Sequence, residues 1–127
     1  MALYLNGNKL QYGADGHNYS TQEQAVGTWI DGSTIYEKTI DFGALPNNDK
    51  KSVNHNISNL AHIVSCECIA ENPSAGYRLP IPFSHRNTLN NQIQMEITDT
   101  TIDIYTVTDR SSYSWCYVTI RYTKSST

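Results

Sequence analysis

Residues 23–43 read EQAVGTWIDGSTIYEKTIDFG, and the fold follows from how this stretch is read. Two runs rich in β-branched and aromatic residues flank Asp31-Gly32, a strong short-range signal for a β-hairpin because glycine accepts the positive φ of a tight turn. With Asp31 and Gly32 as a two-residue loop, Ile30 would face Ser33, Trp29 would face Thr34, and Thr28 would face Ile35. Side chains alternate along a strand, so this pairing puts Trp29, Tyr36, Ile40 and Phe42 on one face. Val26, Ile30, Ile35 and Glu37 fall on the other. Both faces carry apolar groups, so the hairpin should be covered on both sides, by its own domain or by another subunit. Trp29, Tyr36 and Phe42 are the expected core or interface residues.

The surrounding composition suits such a sheet. The chain has 127 residues, enough for one domain with a core of its own, and 17% of them are charged. Asn, Ser and Thr are plentiful and there are nine Tyr, as expected of strands whose solvent face is built from hydroxyls and amides. A net charge of −3 without a basic cluster makes nucleic acid and anionic membranes poor partners. No apolar run approaches the roughly 18 residues that span a bilayer. The opening MALYLNGNKLQYG lacks the basic and long apolar regions of a signal peptide, which points to a cytosolic origin or delivery within a larger assembly.

Upstream of the hairpin, residues 1–19 form an arm or a small hairpin around Asn6-Gly7, with a flexible link over residues 13–16. Ser20 and Glu23 match a capping box, which predicts one or two helical turns ended by Gly27. Downstream, residues 43–49 form a loop and 51–57 a short strand with Val53, His55 and Ile57 on one side. A longer strand follows from Asn59 to Glu71, with Leu60, His62, Val64, Cys66 and Cys68 sharing a face. Residues 72–90 hold three of the four prolines and read as irregular, apart from a strand at Tyr77 to Leu79.

The clearest alternation lies in NQIQMEIT, where Ile93, Met95 and Ile97 alternate with polar residues. A two-residue loop at Asp99-Thr100 would set Ile97 against Ile102 and Met95 against Ile104. Asp109 to Ser112 is a turn. The last strand, Tyr113 to Tyr122, points Cys116, Val118 and Ile120 one way and Trp115, Tyr117, Thr119 and Arg121 the other. The tail from Lys124 is expected to fray. These elements make an all-β chain, an antiparallel β-sandwich of jelly-roll type over residues 20–127, behind an N-terminal arm at 1–19.

Chemistry is sparse. Three cysteines, Cys66, Cys68 and Cys116, argue against a disulfide framework and suit small core hydrophobes, with a bridge from Cys116 to one of the others left open. The histidines His17, His55, His62 and His85 show no metal-binding spacing; His55, on the apolar side of its strand, reads as a buried histidine bonded to a carbonyl. No nucleophile elbow, phosphate loop or CxxC pair is present. Glu67, Glu96, Asp41 and Asp103 are the acids from which a glycosidase pair would be drawn, but nothing singles them out, so no catalytic residue, cofactor or metal is expected. Aromatics are the surplus. Trp115, Tyr113 and the 77–86 loop (Tyr77, Arg78, His85, Arg86) combine ring faces with donors and are the candidate ligand or receptor contacts.

The run YSTQEQAVGTWIDGSTIYEKTIDFGALPNNDKKSVNHNISNL, from Tyr19 to Leu60, resembles a segment common in fibre and appendage proteins of tailed bacteriophages. The shared pattern is E-Q-x-V-G-T-W-x-D-G-x-x-I-Y, then K-T-I-x-F-G and L-P-N-x-x-x-K-x-V-x-H-x-I. The later L-P-I-P and Y-V-T-I-R-Y-T-K are similar to its second half, so the resemblance spans roughly 19–124. It implies a virion structural protein, a tail-fibre or head-fibre domain that is β-rich and homotrimeric. The implied partners are copies of itself, other virion proteins and a host-surface glycan, and no catalytic residues carry over. Members of that family often hold this block behind a longer docking region. The 19 or so residues here imply a short stand-alone fibre anchored by them, or an excised domain. The runner-up is a monomeric carbohydrate-binding module, resting on the aromatic surplus.

Overall fold

The computed structural model describes residues 17–88 and 91–125, together with the backbone of 4–5 and 8–9. The strands are β1 (Tyr4–Leu5), β2 (Asn8–Lys9), β3 (Gln24–Thr28), β4 (Thr34–Asp41), β5 (Lys50–Asn54), β6 (Leu60–Asn72), β7 (Tyr77–Pro80), β8 (Ile93–Ile97), β9 (Thr101–Thr106) and β10 (Trp115–Lys124). All pair antiparallel. β1 pairs with β2, Tyr4 opposite Lys9 and Leu5 opposite Asn8, while the expected Asn6-Gly7 turn and the link at 13–16 lie outside the described residues. The remaining strands form a five-stranded sheet, β3-β4-β10-β6-β7, and a three-stranded sheet, β5-β9-β8. The all-β antiparallel class is therefore the one the chain adopts; the jelly-roll subtype is a finer statement that this strand order does not carry.

The core lies between the sheets, where alternation sends one set of side chains from each. β10 contributes Cys116, Val118, Ile120 and Tyr122, all fully buried. Beside it β4 sends Ile40 and β6 sends Cys68 and Ala70, in register with Val118 and Cys116. The small sheet answers with Ile93, Ile102 and Ile104, and Phe42, Leu45, Ile57, Ile81 and Tyr113 close the ends. The β8–β9 hairpin has the expected register, Ile97 opposite Ile102 and Met95 opposite Ile104. His55 is fully buried; its Nε2 donates to the Thr98 carbonyl (2.9 Å) and its Nδ1 accepts from the Ile57 amide (3.1 Å). All three cysteines are free. The sulfurs of Cys68 and Cys116 lie 3.6 Å apart across β6 and β10, and burial pushes the Cys66 thiol up to about 11.

Several expectations are corrected. The hairpin turn is one residue longer than read: Thr28 pairs with Thr34, and the Trp29 amide donates to the Ser33 carbonyl (2.8 Å). Gly32 alone takes positive φ (+88°), which suits a three-residue loop with a glycine bulge; a type I′ turn needs positive φ at Asp31 too. Ile30 therefore sits at the tip, 90% exposed, and Trp29 is half-buried outside the core, whereas Tyr36 and Phe42 join it as expected. Residues 20–23 form no helix. Ser20 Oγ accepts from the Gln22 amide in a local turn, and Glu23 turns instead to Tyr122 and Lys124. In β6, Val64 is an extra residue between the pairs Ser65–Arg121 and Ile63–Tyr122, so the face shared by Cys66 and Cys68 does not continue to Val64 and His62. Lys124 lies within β10, and the Ser125 amide donates to the Asn59 carbonyl, so the chain is held to that point; residues 126–127 lie outside the described residues.

Candidate functional site

Two surfaces gather polar and aromatic groups. The first is the outer face of the five-stranded sheet. Along β10 it carries Trp115, Tyr117, Thr119 and Arg121, with Ile69 and Glu67 from β6 and Thr39 and Glu37 from β4 alongside. Trp115 packs edge-on against Tyr117 with ring centroids 4.7 Å apart. Together with Tyr19 and Ile69 they line a shallow depression. Trp115 is 43% exposed and Ile69 38%, so two large apolar side chains on central strands face solvent.

Further along the same face Glu37 is completely buried, although a carboxylate at such a site needs partners for both oxygens. Arg121 Nε donates to Oε2 at 2.9 Å, and His17 Nε2 lies 2.8 and 2.9 Å from the two oxygens. Arg121 also reaches Glu67 (3.1 Å). Burial works against its charge, but the two carboxylates outweigh that and raise its pKa. The segment at 17–19 is thereby tied down across β4. A depression of about 600 Å³ opens beside this cluster, lined by Val26, Ile35 and Val64 among others. Sequence reasoning placed Glu37 on an apolar face but found in His17 only a histidine without metal-binding spacing. The acid among Val26, Ile30 and Ile35 was the available signal.

The second surface is a cleft of about 390 Å³ between β7, the segment after it and the β9–β10 connection. Strand alternation aims Tyr77 and Leu79 into it. Phe83 and His85 enter from the next segment, held by paired bonds between the Phe83 and Ile93 backbones (2.9 Å each). Tyr113, Thr108 and Arg110 come from the opposite wall, with Asn91 beside them. The Arg110 guanidinium lies 5.8 Å from the Phe83 ring centroid and 5.5 Å from that of Tyr113. Its Nη2 donates to the Asn91 carbonyl at 2.7 Å, while its buried Nε has no partner among the described residues.

Of the expected contacts, the structure brings Tyr77, His85 and Tyr113 together here. Arg78 alternates away and lies 3.6 Å from Glu71; Arg86 is exposed and does not line the cleft; Trp115 belongs to the outer sheet face. Arg110 and Phe83 were missed, because Arg110 sits in a stretch readable only as a turn.

The acids considered for hydrolysis do not converge in this cleft. Glu96 and Asp103 pair across β8 and β9, and Glu67 lies on the other sheet. The Ser52 hydroxyl bonded to Asp103 holds its carboxyl below the usual range, the opposite of what a general acid needs. Among the described residues no three His, Cys, Asp or Glu side chains group as metal ligands, and no helix is long and apolar enough to cross a membrane. No protein-family model, curated protein or solved structure matches the chain.

Proposed function

We propose that the chain is a non-catalytic structural domain of a bacteriophage tail or head fibre, assembled as a homotrimer in the virion and serving host-surface attachment or particle decoration. The motif block over residues 19–60 supplies the virion assignment. The observation that supports assembly is the outer face of the five-stranded sheet, where Trp115 and Ile69 stand exposed beside Tyr117 on central strands. Large apolar side chains left exposed together on one face of a sheet mark a contact surface. Other virion proteins and a host glycan are the remaining partners of this reading.

Light scattering behind size exclusion, with and without reductant, tests it. A trimer indifferent to reductant that dissociates in Trp115→Glu is the expected result, and a clean monomer at micromolar concentration would overturn it. The aromatic cleft favours one other reading, a monomeric carbohydrate-binding module, which requires that monomer together with saccharide binding.

A further inference from the structure

We propose that the cleft formed by Tyr77, Phe83, His85, Asn91, Arg110 and Tyr113 binds a saccharide that carries a carboxylate or a phosphate. The inference deepens the attachment reading above, and rests on it for the source of the sugar. Its argument is chemical complementarity. A pyranose offers a flat C–H face that stacks on an aromatic ring and a rim of hydroxyls that need donors and acceptors. Tyr77 presents such a ring, 62% exposed at the mouth. Asn91, Thr108 and His85 supply polar groups on the walls.

The charge requirement comes from Arg110. Its side chain is held in place by two rings and one carbonyl, and among the described residues no acidic side chain lines the cleft. The carboxylates closest in sequence are engaged elsewhere: Asp109 accepts from the Ser111 amide and hydroxyl (2.9 and 2.6 Å), and Glu71 faces Arg78. A guanidinium fixed in advance, with its positive charge uncompensated by the cleft, favours an anionic ligand over a neutral one and loses little freedom on binding it. The Nη1 donors, which remain after Nη2 is given to the Asn91 carbonyl, suit an oxygen of a carboxylate or of a phosphate alike.

Titration of the full chain, followed by amide chemical shifts, would compare glucuronic acid, glucose 1-phosphate and glucose. At least one acidic sugar should bind about tenfold or more tightly than glucose. Binding of glucuronic acid alone assigns a carboxylate ligand, of glucose 1-phosphate alone a phosphate ligand, and of both a site that reads charge. Tyr77→Ala, which removes an exposed ring and leaves the core untouched, should weaken the acidic sugar about five- to tenfold. Arg110→Met keeps the packed stem between the rings and should abolish the preference over glucose; should it fail to fold, Tyr77→Ala carries the test.

Equal binding of glucose, no binding of either acidic sugar, or an unchanged affinity in Tyr77→Ala would overturn the proposal. Light scattering on the same samples separates this from the fibre reading. A trimer that ignores acidic sugars refutes only the cleft, and a monomer that binds them refutes only the fibre.

Discussion

Replacing Glu37 by Ala should be among the most costly single changes to the outer sheet face. The carboxylate is fully buried and accepts from Arg121 at 2.9 Å, with His17 within bonding distance of both oxygens. Removing one member of a buried ion pair typically costs about 3–5 kcal/mol, because the partner's charge is left without compensation. Here the figure is discounted. Arg121 is 26% exposed and keeps Glu67 at 3.1 Å, so about 2–3 kcal/mol is the expected loss. For a domain of this size that corresponds to a fall in Tm of roughly 6–15 °C. Urea denaturation followed by circular dichroism measures it directly, with an unchanged m-value expected if the denatured state is unaltered. The double variant Glu37→Leu with Arg121→Met should recover much of the loss, since an apolar pair needs no compensation. A Glu37→Ala protein within about 0.5 kcal/mol of the parent would refute the reasoning, because a surface substitution costs no more than that.

Two other outcomes follow from named contacts. Gly32→Ala should cost about 1 kcal/mol in urea denaturation, although no neighbour lies within 4 Å of the added methyl, because φ of +88° is strained for any residue with a Cβ; no loss would mean the turn re-forms with another geometry. Burial pushes the Glu23 carboxyl up, but hydrogen bonds from Tyr122 (2.6 Å) and Lys124 outweigh it and leave the pKa lowered. Its contribution is therefore present above the unfolded glutamate range and lost as pH falls through the lower folded value, so the Tm gap between the parent and Glu23→Gln should narrow on acidification; a gap that widens instead would contradict the sign.

Much of the fold was legible because the sheet interior is written in period two. Ile93, Met95, Ile97, Ile102 and Ile104 fix their register through alternation and a two-residue loop, and slipping by one would turn every one of them outward. Cys116, Val118 and Ile120 did the same for the central strand. What alternation cannot show is where it is interrupted. Val26 and Val64 are each an extra residue against the partner strand, so the parity carried past them comes out wrong. The capping box failed for a related reason. Local bonds between Ser20 and Glu23 offer at most about 1–2 kcal/mol, whereas Glu23 gains Tyr122 and Lys124 once β3 is laid on β4.

The candidate site was half legible, and the division has a physical basis. Tyr77, His85 and Tyr113 could be picked out as rings that carry a polar group, since that choice needs only residue type. Separating them from Trp115, Arg78 and Arg86 needed three-dimensional knowledge. Two residues apart along a chain, Tyr113 and Trp115 end up buried beside the cleft and exposed on the outer sheet face respectively, because β10 begins between them. Tyr77 and Arg78 part through strand alternation alone. Arg110, on which the electrostatics of the cleft depend, acquires its character only from Phe83, Asn91 and Tyr113, and the first two of these come from separate segments that no local pattern connects to it. A sheet interior repeats one rule along every strand and can be read from a single chain. A cleft at the sheet's end is assembled once, from loops, and its chemistry exists only where those loops meet.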